Sequence, residues 1–302
     1  MNHKRSYIVL LAAAVTMESC SSCSVIAAGV TLSKSSAIAL TAAPPLVLLH
    51  PLGSTGAMSW ASLAESLRGA GYRVAAPDLP GHGTSRETSF TWESARATVR
   101  AAAERFGPEK PVLIGLSLGA ATALYAAQRE PSSFAGLVLA GAGACWSDRY
   151  LRSGLTAAAA VGALSAAVGR RELLAHAAGV RGREIVTAAR AADVAPAQLW
   201  RAARQLTQFD VRSTPPPPIP CAVIVLTEDR RMPPGLQRAL AKYLGCQHVD
   251  VAADHDAPVR QTARFSDGVQ TALTLLGGDE DISPLLAQTG GFRRPQGTGR
   301  SL

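Results

Sequence analysis

Short apolar runs rich in Val, Leu and Ile alternate with longer helical runs along most of the chain. A short run that is apolar throughout is typical of a strand buried on both faces, and a helix after each strand returns the chain to a parallel neighbour. The sequence therefore predicts an α/β fold, with a mostly parallel sheet covered by helices on both faces. The predicted strands are PLVLLH, YRVAAPD, KPVLIG, FAGLVLAG, CAVIVLT and HVDVA.

The alternation of strands and helices stops after Gly143 and resumes after the run PPPPIP. Residues 145–212, between these points, are rich in Ala and Arg and contain no convincing strand, which favours an inserted helical cap. The core is then expected to comprise residues 25–144 and 213–277. An insertion at this place would sit over the carboxyl ends of the strands, where open parallel sheets bind their ligands.

The two ends of the chain lie outside the predicted core. Residues 1–24 carry the basic start MNHKR and a short apolar run, as a signal peptide does, but Glu18 interrupts the run. We expect an N-terminal extension and a cytoplasmic protein, with a signal segment and export as the alternative. Residues 278–302 lack hydrophobic periodicity and are predicted to be disordered. The apolar stretch LTAAAAVGALSAAV is too short to span a bilayer, so no integral membrane segment is expected in the core.

Charge and cysteine content argue against nucleic-acid and metal sites. The net charge is +8, but the arginines are scattered and form no dense basic run with interleaved aromatics, so no nucleic-acid partner is expected. Cys20 and Cys23 form a lone C-x-x-C without a second pair, which argues against a zinc or redox site. Cys145, Cys221 and Cys246 are interpreted as small apolar residues at strand edges.

The strongest functional signal is GLSLG, which lies between a predicted strand and an Ala-rich helix. A serine at the centre of this motif occupies a sharp strand-to-helix turn, and Gly115 and Gly119 allow the backbone to close tightly around it. The N-terminus of the following helix stabilises negative charge that develops nearby. Ser117 is therefore the candidate nucleophile.

A serine hydroxyl needs a base within hydrogen-bond reach, and His255 is the candidate. It lies in ADHDAPV, between the last predicted strand and the last helix, at the same edge of the sheet as Ser117. His50 and His82 lie in Gly-containing turns and are expected to shape loops. The other histidines lie in the N-terminal extension, the insertion and the start of a strand: His3, His176 and His248.

The base in turn needs a carboxylate that holds its tautomer and stabilises the imidazolium. Asp229 follows the strand CAVIVLT at the same sheet edge and is the first choice. Glu228, its neighbour, is expected to point the other way, and Asp148 after the preceding strand is the main rival. The alternatives stay open on the sequence alone.

The oxyanion of an acyl-transfer reaction needs two backbone N–H donors. Leu118, directly after the candidate nucleophile, supplies one. The loop HPLGST is expected to supply the other from Leu52, because Pro51 has no N–H group.

Four sequence motifs, which occur in the order expected for the family, resemble those of the α/β-hydrolase superfamily. Within the superfamily they resemble the esterase and haloperoxidase-like branch. The order Ser117, Asp229, His255 matches the family's nucleophile–acid–base order. HPLGSTGAMSW resembles the family's oxyanion loop, with Pro51 where a glycine usually follows the His. DLPGHGTS resembles its D-x-x-G-x-G-x-S turn, and TEDRRMPP resembles the segment that carries the acid four residues before a proline.

This resemblance implies a serine hydrolase that cleaves a carboxylic ester, or a related acyl bond, through an acyl-enzyme intermediate. It implies no metal or organic cofactor and a small-molecule substrate as the partner. The Ala-rich, aromatic-poor insertion suggests a small to medium apolar substrate. The alternative is a non-catalytic or very slow ligand-binding member of the same fold.

Overall fold

The computed structural model describes residues 43–146 and 194–277. Several expectations fall outside these ranges: the N-terminal extension 1–24, most of the insertion, the tail 278–302, and the residues His3, His176 and Asp148. The domain boundaries given above therefore remain predictions.

Six strands in the described residues form one sheet in which every neighbouring pair is parallel. The strand bounds are β1 Leu46–Leu49, β2 Val74–Ala75, β3 Val112–Leu116, β4 Gly136–Ala140, β5 Cys221–Leu226 and β6 Gln247–Val251. The strands follow the spatial order β2-β1-β3-β4-β5-β6. This confirms the predicted α/β architecture.

Helices connect the strands, and several begin or end where the sequence indicates. Thr91 caps α2, and its side chain and that of Ser94 form a reciprocal capping box that satisfies two backbone N–H groups. Gly245 adopts the left-handed conformation that ends α5. The helix bounds are α1 Gly56–Gly69, α2 Trp92–Glu104, α3 Leu118–Arg129, α4 Pro196–Thr207, α5 Pro234–Leu244, α6 Ala257–Arg260 and α7 Thr262–Leu276.

Both faces of the sheet are buried, which explains why its central strands are apolar throughout. Alternate residues of β1 enter different clusters: Val47 and Leu49 lie with α2, α3, α4 and α5, whereas Leu46 and Leu48 lie with α1 and α7. Strands β1, β3 and β4 are buried at every position. The edge strand β6 is largely exposed. Helices on both faces are thus confirmed.

The side of the sheet on which successive strands are added changes at β1. After β1 it forms β2 on one side, and it then crosses to form β3 on the other side. A crevice opens at such a switch point because the connections leave β1 and β3 in opposite directions. The loop after β1 and the turn at Ser117 after β3 both lie at this point.

The two ends of the predicted insertion, as far as they are described, lie at adjacent positions. Cys145 forms an antiparallel bridge with Asp210, and Val211 N–H donates to Ala144 O at 3.0 Å. The ring of Phe209 contacts Trp92 at the start of α2, with centroids 4.4 Å apart. Of the described part of the insertion, α4 packs into the core cluster that holds α2, α3 and α5.

Helix α3 approaches β1 so closely that Gly119 has no room for a side chain. A Cβ at Gly119 would lie 2.0 Å from the backbone O of Leu49. This oxygen cannot move unless the backbone of β1 moves with it. We expect Gly119→Ala to lower the free energy of unfolding by about 3 kcal/mol or more, as overpacking does. Thermal unfolding followed by circular dichroism measures this.

The control is Gly235→Ala in α5, where a Cβ meets nothing within 4 Å. This variant should melt at the wild-type temperature or slightly above it, because Ala favours helix over Gly. Equal melting temperatures for the two variants would contradict the close approach of α3 to β1.

Candidate functional site

Ser117 occupies a strained turn between β3 and α3. Its φ of 57° and ψ of −114° make it the one non-glycine residue with positive φ in the part of the chain that the structure describes. Its N–H donates to Ala140 O at the end of β4, at 3.0 Å. A Cβ at Gly115 would lie 2.5 Å from the backbone of Gly119, so both glycines are required for the turn. Strain of this kind persists only where the surroundings enforce it, and it clusters at functional sites.

Asp229 and His255 form a buried hydrogen-bonded pair. The turn after β5 carries Asp229 and the loop after β6 carries His255, and Asp229 Oδ2 lies 2.7 Å from His255 Nδ1. The other carboxylate oxygen, Oδ1, accepts the backbone N–H groups of Arg231 at 2.8 Å and Met232 at 2.9 Å. Because the carboxylate accepts from Nδ1–H, the neutral ring keeps its lone pair on Nε2.

The imidazole lies beside the turn that carries Ser117. A Cβ at Gly141 would lie 3.1 Å from His255 Cε1 and 3.2 Å from Nδ1. The residue before Gly141, Ala140, accepts the Ser117 N–H. The ring and the serine therefore flank the same short piece of backbone at the end of β4. A base in the neighbourhood of a serine is what activation of the hydroxyl as a nucleophile requires.

The rival acids differ from Asp229 in position. Asp229 is buried, whereas Glu228 is exposed and its N–H donates to Ala253 O. Asp148 lies outside the described residues. Among the described histidines, His248 is exposed on β6, away from the Ser117 turn.

His50 and His82 join the loop after β1 to the loop after β2. His50 donates from Nδ1 to Pro51 O and accepts Leu79 N–H on Nε2, at 2.9 Å each. His82 donates from Nδ1 to Pro80 O at 3.0 Å and accepts Gly53 N–H on Nε2 at 3.2 Å. Both rings thus shape loops, as the sequence predicts, and each is neutral because it accepts as well as donates.

Burial keeps these two rings uncharged. It lowers the pKa of His50 from 6.5 to about 3, with a further lowering by the neighbouring His82. Burial also lowers the pKa of His82. The ring centroids lie 5.0 Å apart, so two positive charges here would repel each other.

The two residues predicted to donate to an oxyanion lie at the start of α3 and in the loop after β1. Leu118 is the first residue of α3, and the N–H of a first helical residue has no acceptor within its helix. Leu52 precedes Gly53, whose N–H donates to His82 Nε2. The side chain of Leu52 packs against Val194 and Leu199 of the inserted segment.

Asp78 fixes the two loops that flank this site. Its Oδ1 accepts Gly56 N–H at the start of α1 at 2.8 Å, and its Oδ2 accepts both the N–H and the hydroxyl of Thr84 at 2.9 Å. A Cβ at Gly83 would lie 2.4 Å from Asp78 Oδ2, so this turn requires glycine. The DLPGHGTS motif therefore forms a brace between the β2 loop and α1.

Two polar contacts at the site were not anticipated from the sequence. Gln237 of α5 is fully buried, accepts Leu226 N–H at 2.9 Å and donates to Met232 O at 2.6 Å, which fixes the turn carrying Asp229. It lies on the same helical face as Leu240 and Ala241, and this placement is the sequence signal that could have identified it. The second contact joins Arg231 to Asp256.

Residues 43–146 and 194–277 contain no group of three or more His, Cys, Asp or Glu side chains that could hold a metal ion. Within the same ranges, none of the helices has both the length and the apolar composition that crossing a bilayer requires.

A family profile described as the alpha/beta hydrolase family matches residues 46–267. The chain belongs to this family. Solved structures with the same fold include the enol-lactonase from Burkholderia xenovorans, with 22% identity and a TM-score of 0.59 over 77% of this chain and 92% of the lactonase. An esterase from Exiguobacterium antarcticum has a TM-score of 0.65 at 15% identity, over 77% of this chain and 92% of the esterase.

A curated relative shares a shorter region with the chain. The pimeloyl-[acyl-carrier protein] methyl ester esterase of Aromatoleum aromaticum is 40% identical over 109 residues, which is 35% of this chain and 40% of that protein. The match thus spans about two fifths of the relative's length. The proteins similar to this chain thus include esterases and an enol-lactonase.

The buried neutral His50 makes stability depend on pH. In the unfolded chain the ring protonates below its usual pKa of 6.5, whereas in the fold it stays neutral down to about 3. The unfolded state therefore binds more protons between these values, and stability is lost as the pH falls through this window. We expect His50 to account for a loss of about 2 kcal/mol between pH 7 and pH 5.

Urea unfolding of the wild type and of His50→Asn at both pH values measures this contribution. The variant should be less stable at pH 7 but should lose less stability on acidification. His82 and the other titrating groups remain in both proteins and cancel in the comparison. An identical loss in the two proteins would show that His50 is already accessible to protons in the fold.

Proposed function

We propose that the protein is a serine hydrolase that cleaves carboxylic esters through an acyl-enzyme intermediate. The observation that carries this proposal is the strained Ser117 turn beside an imidazole whose Nδ1 is held by a buried carboxylate at 2.7 Å. His255 Nε2 takes the Ser117 proton as Oγ attacks the ester carbonyl. The same nitrogen then returns the proton to the departing alcohol, and a second cycle with water releases the acid.

Asp229 has the role of holding the imidazole in one tautomer and stabilising the imidazolium that forms. Two backbone N–H groups on Oδ1 prevent the carboxylate from turning away from the ring. In the tetrahedral intermediate, the N–H groups of Leu118 and Leu52 bind the oxyanion. The helix dipole of α3 adds to this stabilisation because its N-terminus points toward the developing charge.

The substrate class we propose is a small to medium apolar ester. Leu52 carries one oxyanion donor, and its side chain lies against Val194 and Leu199, so an apolar surface borders the reaction centre. Residues 145–212 then act as a cap that contributes to this surface. Esterases among the similar proteins support ester cleavage over other acyl chemistry.

Labelling with a fluorophosphonate tests the nucleophile. This reagent phosphonylates activated serines, so intact mass spectrometry should show one adduct on the wild type and none on Ser117→Ala. The alanine variant should also lose turnover of p-nitrophenyl butyrate by about 10³-fold or more while retaining its fold. Absence of an adduct on the folded wild type would favour a ligand-binding member of the fold.

The acid is tested by paired substitutions at neighbouring positions. Asp229→Asn replaces the buried carboxylate that holds His255, and we expect kcat to fall by about 10³-fold or more because the tautomer is no longer fixed. Glu228→Gln changes the adjacent exposed carboxylate and should leave kcat within about twofold of wild type. Comparable losses in both variants, measured with p-nitrophenyl butyrate, would count against Asp229 as the acid.

A further inference from the structure

Asp229, the proposed acid, and His255, the proposed base, lie on two separate loops. The spacing of these loops must stay fixed if the two side chains are to remain hydrogen-bonded. Backbone bonds from Thr227 N–H to Val251 O and from Glu228 N–H to Ala253 O join the two loops where they leave the sheet. Asp229 and His255 follow these bonds along the two loops. A second connection between the loops at this level adds to the constraint on the angle between the carboxylate and the ring.

Arg231 and Asp256 make that second connection. Arg231 Nη1 lies 2.7 Å from Asp256 Oδ1, and Nη2 lies 2.9 Å from Oδ2. This two-pronged geometry constrains both side chains in orientation as well as in distance. The two side chains are about one-third exposed, at 30% and 36%, so solvent screens the pair only in part.

Each residue of the ion pair is also connected directly to one residue of the Asp229–His255 pair. The backbone N–H of Arg231 donates to Asp229 Oδ1, the oxygen that does not contact the ring. Asp256 follows His255 in the chain, and its own N–H donates to Asp254 Oδ1 at 2.9 Å. A shift of the ion pair would therefore move the carboxylate on one side and the imidazole on the other.

We propose that Arg231 is a positioning residue that, through its ion pair with Asp256, holds His255 in line with Asp229 and Ser117. This inference rests on the proposed function. Arg231 acts through other residues and takes no part in proton transfer. Its planar fork is the essential property, because a lysine ammonium can supply the charge but not two parallel bonds.

The first experiment compares kcat and KM of Arg231→Gln, Arg231→Lys and Asp256→Asn with p-nitrophenyl butyrate. A positioning role predicts that all three lower kcat by about 10-fold while KM stays within about twofold, since substrate contacts are untouched. The double variant Arg231→Gln/Asp256→Asn should be no slower than the slower single variant, because both remove the same contact. Retention of wild-type kcat in Arg231→Lys would overturn the positioning role in favour of charge alone.

The structure offers a matched control pair outside the site. Arg238 on α5 and Asp250 on β6 lie 2.7 Å apart with similar exposure, at 41% and 49%. Arg238→Gln and Asp250→Asn should leave kcat within about twofold of wild type, as expected for a surface ion pair. If these variants slow turnover as much as Arg231→Gln does, the effect is a general one on stability and the proposal is wrong.

Fluorophosphonate labelling distinguishes failure of the proposed function from failure of the role proposed for Arg231. No adduct on wild type refutes the proposed function itself. A normal adduct and normal turnover in both wild type and Arg231→Gln refute only the role of Arg231. Should Arg231→Gln fail to fold, Asp256→Asn tests the same contact from its other side.

Discussion

The close contact of α3 with the ends of β1 and β3 is the constraint on which the site depends. Gly115 and Gly119 allow backbone to meet backbone, and Gly119 lies against the carbonyl of Leu49. This contact holds Ser117 in its positive-φ conformation. It also brings the start of α3 next to the loop after β1. One steric requirement thus places Ser117, a helix terminus and a loop together.

Polar groups buried around this contact act as fixed connections between loops. His50 and His82 each accept one backbone N–H and donate to one carbonyl, so each replaces a pair of backbone hydrogen bonds that irregular loops cannot make. Asp78 and Gln237 have the same role at the β2 and β5 loops. The loops that surround Ser117 are therefore rigid without being regular, which a preorganised site needs.

Much of this arrangement could be predicted because local signals and the sheet agree. The apolar runs identify the strands, Thr91 and Ser94 identify the start of α2, and the glycines around Ser117 identify the turn. Asp229 and Glu228 are distinguished by burial, which strand alternation does not explain because β5 ends at Leu226 and Thr227 and Glu228 form a turn in which both are exposed. The run YRVAAPD, in contrast, forms only the two-residue β2, because only Val74 and Ala75 pair with β1.

What the sequence could not reveal is pairing between distant polar residues. Nothing local distinguishes Arg231 from Arg230, and its ion pair with Asp256 depends on how two loops approach each other in space. The place of Gln237 on the apolar face of α5 signals that it is buried, but its bonds to Leu226 and Met232 depend on where the β5 turn lies. Contacts of this kind follow from the fold and have no counterpart in any local sequence pattern.

The pairing of Cys145 with Asp210 has a consequence for how proteins of this type diversify. The chain leaves the sheet and returns to it at one point, and aromatic contacts of Phe209 secure the return. The entropic cost of closing a loop whose two ends lie side by side grows only with the logarithm of the loop length. The segment between Cys145 and Asp210 can therefore change in length and composition during evolution while the sheet, the Ser117 turn and the neighbouring loops stay as they are.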